Sequence, residues 1–301
     1  MNMDPTGQGS SSGRGRFHWW IILLFLVYAG YYYFSNEQQS PMTGRTQLIA
    51  TSSQEEAALG LEAYKQVLSQ SQVVNSGPEV AQIKQVAQRL IAVAPKVEAD
   101  LAAGKGLKPT IDWSSFDWAV SVLQSDQVNA FCLPGGKIAV FTGLIPVAQN
   151  ADALAVVLGH EISHALLRHG AERMAQQHLA QIGTLATGMA AGNMDPQKQR
   201  EVMGALGVGT QFGILLPFSR KDESEADEIG LMLAAAACYD PQAAIPLWQR
   251  MQEQGSSGRP PEFMSDHPSD ARRIQHLQEL MPQALALRAK YCGGQAATPA
   301  H

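Results

Sequence analysis

Residues 151–167, ADALAVVLGHEISHALL, decide how the rest of the chain is read. Leu154, Val157, Leu158 and Ile162 recur at helical spacing, so the stretch predicts a helix. Positions i and i+4 share a helix face, which lets His160 and His164 aim ring nitrogens at one ion. Glu161 stands one step round the helix, in reach of a water on that ion without ligating it. A helical H-e-x-x-h pattern of this kind points to zinc hydrolase chemistry. The plainer alternative, a surface helix with two chance histidines, fits poorly with the apolar flanks, where unpaired imidazoles are costly to bury.

A catalytic zinc takes three protein ligands and keeps a fourth position for water. Residues 219–230, SRKDESEADEIG, offer the third. Glu223 and Asp227 are i, i+4 on one face, so Glu223 is expected to ligate. Asp227 then sits behind it as acceptor for a ligand imidazole N–H. Glu225 is expected to point away. Taken alone, so acidic a run is a solvated helix face. Arg168, His169, Glu172, Arg173 and His178 read as a solvated continuation of the metal helix rather than as ligands.

The 301 residues allow one large domain or two small ones, and a 45% hydrophobic content is ample for a core. A net charge of −5 without a Lys/Arg-rich run argues against nucleic acid as a partner. Cys132, Cys238 and Cys292 are too few for a disulfide framework. A Cys238–Cys292 bridge and free thiols both stay open.

Residues 1–16 are Gly/Ser-rich and are expected to form a disordered cytoplasmic tail. Residues 17–34, FHWWIILLFLVYAGYYYF, carry no formal charge and approach the length of a bilayer span. Trp19 and Trp20 at one end and Tyr31 to Tyr33 at the other resemble interfacial belts, and Arg14 and Arg16 precede the segment. No small-x-small cleavage site follows, so an uncleaved transmembrane helix is favoured over a signal peptide. The expected setting is a bacterial inner membrane, crossed once, with the catalytic domain in the periplasm. A polar linker over 35–53, a folded body over 54–292 and a tail over 293–301 complete the division.

Helical periodicity covers 54–70 and 78–94, and the stretch from Ala92 to Pro109 is expected to break up around Pro95, Gly104 and Gly106. Residues 116–123 alternate as a strand, and 129–143, NAFCLPGGKIAVFTG, read as two short strands broken at Pro134-Gly135-Gly136. Asn129, Gly135 and Gly136 mark an edge where an extended substrate could add as a strand; an ordinary hairpin turn is the equal alternative. Residues 179–192 and 202–217 are apolar and glycine-rich and are expected to form a helical pair over the site. The fold class is α+β, mostly helical, with a small β-sheet beside the metal helix.

Four patterns occur together: H-E-x-x-H at 160–164, E-x-x-A-D at 223–227, N-A-F-x-x-P-G-G at 129–136, and His267-Pro268 followed by Arg273-Ile274. Over residues 45–280 the chain resembles the HtpX and CAAX-prenyl-protease family of zinc endopeptidases, the minigluzincins. It looks most like that family's bacterial periplasmic, BepA- and LoiP-like members. The resemblance implies a minigluzincin core with one Zn2+ on His160, His164 and Glu223, and Glu161 as general base. It also implies that His267 latches the open zinc position and that Arg273 supports the site or a developing oxyanion. On the residues alone, His267 is a surface residue of a loop leading into an amphipathic helix. The implied activity is hydrolysis of unfolded or damaged envelope proteins in quality control. A chaperone or assembly factor with little proteolytic activity, and a structural zinc domain with His267 as fourth ligand, are the two rivals. Oligomeric state is not readable.

Overall fold

The computed structural model describes residues 17–190, 197, 218–256, 262–267 and 272–293. The tail over 1–16, the second apolar stretch over 202–217 and residues 294–301 lie outside that range. In chain order the elements are α1 (Trp19–Ser35), β1 (Glu37–Gln39), β2 (Thr46–Leu48), α2 (Ser53–Ser69), β3 (Val73–Val74), α3 (Pro78–Gly104), β4 (Ala119–Leu123), β5 (Ala130–Leu133) and β6 (Lys137–Phe141). After these come α4 (Ile145–Ala148), α5 (Ala151–Leu166), α6 (His169–Ala190), α7 (Arg220–Ala236), α8 (Ala244–Ser256), α9 (Glu262–Asp266) and α10 (Arg273–Cys292). The chain is thus mostly helical with small sheets, as expected. It divides into two units, residues 1–35 with 177–209 and residues 36–176 with 210–301.

In the first unit α1 covers 17 residues and leaves Trp19, Leu24, Leu26, Val27 and Phe34 exposed. Among the described residues, no helix is long and apolar enough to cross a membrane. The hydroxyl of Tyr28 meets His178 Nε2 at 3.0 Å, and Tyr32 stacks on the same imidazole.

The second unit is built on a four-stranded sheet of order β3-β4-β6-β5. β4 and β6 run parallel, with Val120 opposite Ile138 and Val122 opposite Val140. β5 pairs antiparallel with β6 and forms an edge. Pro134-Gly135-Gly136 make the three-residue turn between them. Gly135 and Gly136 have φ of 75° and 80°, a region open to glycine at little steric cost. Val122, Ala130, Ile138 and Val140 share one core with Leu158 and Ile162 of α5, so the sheet lies beside the metal helix.

Two expectations change here, and one open alternative is decided. Residues 35–53 are no plain linker: β1 and β2 pair as a hairpin, and Met42, Leu48 and Ile49 are buried in the body of the protein. Helix α3 does not break at Ala92 but runs through Pro95 to Gly104. A proline inside a helix costs about 3 kcal/mol, which burial of Leu90, Ala94 and Val97 offsets. Cys238 and Cys292, left open above, form a disulfide that closes a separation of 54 residues and joins the far ends of α7 and α10.

Candidate metal centre

Asn150 caps α5 by accepting from the Ala153 backbone, and from Ala153 onward every residue of the helix is buried. His160 and His164 therefore face inward, where their rings need polar partners. Helix α7 starts from a capping box in which Ser219 and Asp222 exchange hydrogen bonds, which puts Glu223 in its first turn. The two helices approach closely because each presents a glycine. A Cβ on Gly159 would come within 2.6 Å of the Gly230 carbonyl oxygen, and one on Gly230 within 2.6 Å of the His160 nitrogen. Backbone contact at that point brings the Glu223 carboxylate to the imidazoles.

His160 Nε2 and His164 Nε2 lie 3.1 Å apart. Glu223 stands 3.3 Å from the former through Oε2 and 3.4 Å from the latter through Oε1. His267, placed by α9, completes the group, its Nδ1 3.3 Å from His160 Nε2 and 3.0 Å from Glu223 Oε1. Its Nε2 is 3.5 Å from Glu161 Oε1. All four donors lie within 4.8 Å of one another and can hold a metal ion. The donor chemistry fits a zinc ion. Two imidazoles turn Nε2 toward each other, and Glu223 Oε2 is buried without a hydrogen bond.

Behind the donors, Asp227 Oδ1 accepts from His160 Nδ1 at 2.9 Å and from Arg273 Nη2 at 2.6 Å. The Arg273 guanidinium also lies over the Trp248 ring, 3.4 Å from its centroid. Burial raises the pKa of Asp227, but Arg273 and His160 outweigh it and hold the carboxyl below its ordinary value. Burial acts the same way on Glu223, where the surrounding His160, His164 and His267 outweigh it and leave the carboxyl far below the usual range. Burial dominates at His164 and pushes its pKa well down. At His160 it is overcome by Asp227 and Glu223, and the pKa rises.

Sequence reasoning placed several side chains wrongly. His169, Glu172 and Arg173, expected on a solvated face, are buried. Glu225 does point away from the four donors, and it meets His169 Nε2 and Arg45. Gly135 and Gly136 sit where a Cβ would meet Ala57 at 2.9 Å and the Trp118 ring at 2.6 Å, and their carbonyls accept from Asp117 and Ala119. Asn129 is buried just before the edge strand, its side-chain oxygen bonded to the Ala130 backbone N–H.

Residues 95–281 match the peptidase family M48. The mitochondrial metalloendopeptidase OMA1 of Schizosaccharomyces pombe is 35% identical over 252 residues, covering 82% of this chain and 67% of that protein. The chain belongs to peptidase family M48. As a member of M48 it is a zinc-dependent metallopeptidase. Human mitochondrial metalloendopeptidase OMA1 is 33% identical over 260 residues, 83% of this chain but 47% of that protein. The β-barrel assembly-enhancing protease of Escherichia coli is 32% identical over 158 residues, 51% of this chain and 32% of its own length. The chain thus spans about half the length of the vertebrate M48 relatives. Two readings are corrected. The mitochondrial members match far more of this chain than the bacterial one, so the nearest kinship is not to BepA-like proteins. The bacterial inner-membrane and periplasmic location falls for the same reason, because these M48 relatives are mitochondrial.

Proposed function

We propose that the chain is a zinc metalloendopeptidase that cuts unfolded or damaged proteins as part of protein quality control. His160, His164 and Glu223 hold the metal, and Glu161 is the general base. What carries the reading is the convergence of two imidazoles from α5 and one carboxylate from α7, with Glu161 against His267, the fourth donor. Zinc held by these donors supplies Lewis acidity toward a water and a substrate carbonyl. The chain's own residues do the rest. Glu161 takes a proton from the attacking water and hands it to the leaving amine. Asp227 holds the His160 tautomer that turns Nε2 to the metal. Arg273, clamped between Asp227 and Trp248, neutralises the buried carboxylates behind the site.

Substrate backbone adds along β5, the edge strand that Asn129 precedes, which selects extended segments over folded ones. Segment α9 supports the latch role of His267. The Phe263 N–H bonds the Val128 carbonyl one residue before Asn129, and its ring stacks on His267. The same segment therefore lies at the strand entrance and at the fourth donor position. The apolar, exposed α1 attaches the protein to a membrane, and the mitochondrial setting of the relatives replaces the periplasm.

The test is hydrolysis of unfolded casein by wild type, Glu161→Gln and His267→Ala, with zinc content measured on each. Loss of cleavage with zinc retained in Glu161→Gln supports the peptidase; equal activity in the two sinks it. His267 as a fourth donor also favours a closed structural site. Faster cleavage by His267→Ala supports the latch, whereas loss of zinc and of folding supports the structural reading.

A further inference from the structure

His169 lies five residues beyond His164 and is fully buried, yet no step above uses it. Its Nδ1 is 2.9 Å from His164 Nδ1. Its Nε2 is 3.2 Å from Glu225 Oε2. Glu225 Oε1 in turn accepts from Arg45 Nε at 2.6 Å, and Arg45 forms a two-pronged pair with Glu172, both contacts at 2.7 Å. A chain of buried and half-buried polar groups therefore runs from a donor of the metal centre to the β1–β2 hairpin.

The chemistry of the imidazoles fixes the direction of each bond. A histidine that offers its Nε2 lone pair to a metal carries its proton on Nδ1. For His164 that N–H points at His169 Nδ1, which must accept. His169 then carries its own proton on Nε2 and donates it to Glu225. The opposite tautomer of His164 would aim an N–H at His160 Nε2 and leave no lone pair for the ion. His160 has Asp227 to impose its tautomer directly; among the described residues His164 has no carboxylate at Nδ1 and meets one through His169.

We propose that His169 is a positioning residue of the metal centre, accepting the Nδ1–H of His164 while Glu225, held by Arg45, keeps the His169 ring oriented. The inference rests on the zinc reading and deepens it. The group His169, Asp222 and Glu225 has the makings of a second metal site. Arg45 already supplies the positive charge there, 2.6 Å from Glu225 and 3.3 Å from Asp222, so a second ion is not required.

The test uses the full chain and reads metal binding rather than turnover. Zinc affinity is measured by competition with a chromophoric chelator, and the visible spectrum is recorded with Co2+, for wild type, His169→Leu and His169→Asn. Asn retains a side-chain oxygen that can accept from His164; Leu does not. We expect His169→Leu to bind zinc about 10–100-fold more weakly and to shift the Co2+ bands, with His169→Asn recovering most of the loss. Wild-type affinity in His169→Leu overturns the proposal, as does an equal loss in both variants, which would report packing alone. Should circular dichroism show that His169→Leu does not fold, Glu225→Ala decides: several-fold weaker zinc binding supports the role, and unchanged binding overturns it. A wild-type chain that takes up no zinc overturns the zinc reading and this inference with it. Zinc uptake that is indifferent to His169 overturns this inference alone.

Discussion

At the scale of single residues, the centre is a set of buried charges that persist only because each has an opposite partner. Asp227 is the clearest case, lying between His160 and Arg273 with all three buried. Asp227→Asn removes the closer of the two carboxylates that face Arg273 and leaves it only Glu223, at 3.6 Å. The expected cost is about 3–5 kcal/mol of stability in the chelator-treated protein, together with weaker zinc binding. Urea unfolding with a chelator competition assay checks both. The pH dependence has a definite sign. The folded-state pKa of Asp227 lies below its ordinary 3.8, so its stabilisation is complete above that value and fades as pH falls through the folded-state pKa. The gap between wild type and Asp227→Asn should therefore close as pH falls through the folded-state pKa of Asp227; a gap that grows below pH 4 refutes this account. His160, Glu161, His164, Glu223 and Asp227 were readable because i, i+4 spacing on a helix is a local property. His169 was not. In a continuous helix, position i+5 turns about 140° away from His164. Arg168 instead adopts a φ of 56°, ends α5 and starts α6 so that the ring of His169 folds back. Its guanidinium binds Glu56 and the Thr51 carbonyl, partners more than a hundred residues distant, which no local pattern announces.

At the scale of elements, the site depends on how closely α5 and α7 pack. Gly230→Ala puts a methyl group against the His160 backbone, and the helices must part to admit it. The expected loss is about 1–3 kcal/mol of stability, with zinc affinity lowered as Glu223 is drawn from the imidazoles. Gly104→Ala, where nothing lies within 4 Å, is the control and should be neutral or slightly stabilising. Thermal unfolding of the two variants, metal-free and zinc-loaded, separates a local effect from a general one. If Gly230→Ala binds zinc like wild type, helix proximity does not set the geometry. The β1–β2 hairpin shows why polar composition misleads. Arg45 and Gln47 belong to a hydrophilic stretch, yet Arg45 reaches Glu172 and Glu225, and Gln47 binds the Leu167 carbonyl at the end of α5. Their polarity serves buried partners rather than solvent.

At the scale of the whole molecule, two constraints act on the peptidase unit from opposite ends. The donor group of His160, His164 and Glu223 brings α5 and α7 together at one end, and Cys238–Cys292 joins α7 to α10 at the other. Replacing both cysteines with serine should cost about 2–4 kcal/mol, measured by denaturant unfolding without reductant, because a loop of 54 residues regains its freedom in the unfolded chain. If reductant destabilises wild type no more than this double variant, the bridge is not formed in solution. Such a bridge suits an oxidising compartment. The sequence by itself determined the helical class, the small sheet before the metal helix, and the donors His160, His164 and Glu223 as candidates. Each of those rests on periodicity or spacing within about twenty residues of chain. Only the tertiary structure decided that α3 continues past Pro95, that His267 reaches the donors, that Cys238 meets Cys292, and that Arg45 ends a chain of charges leading to His164. These depend on which distant surfaces bury one another, and burial is a property of the packed molecule, set by the summed apolar area and paired charge of segments that no single stretch contains.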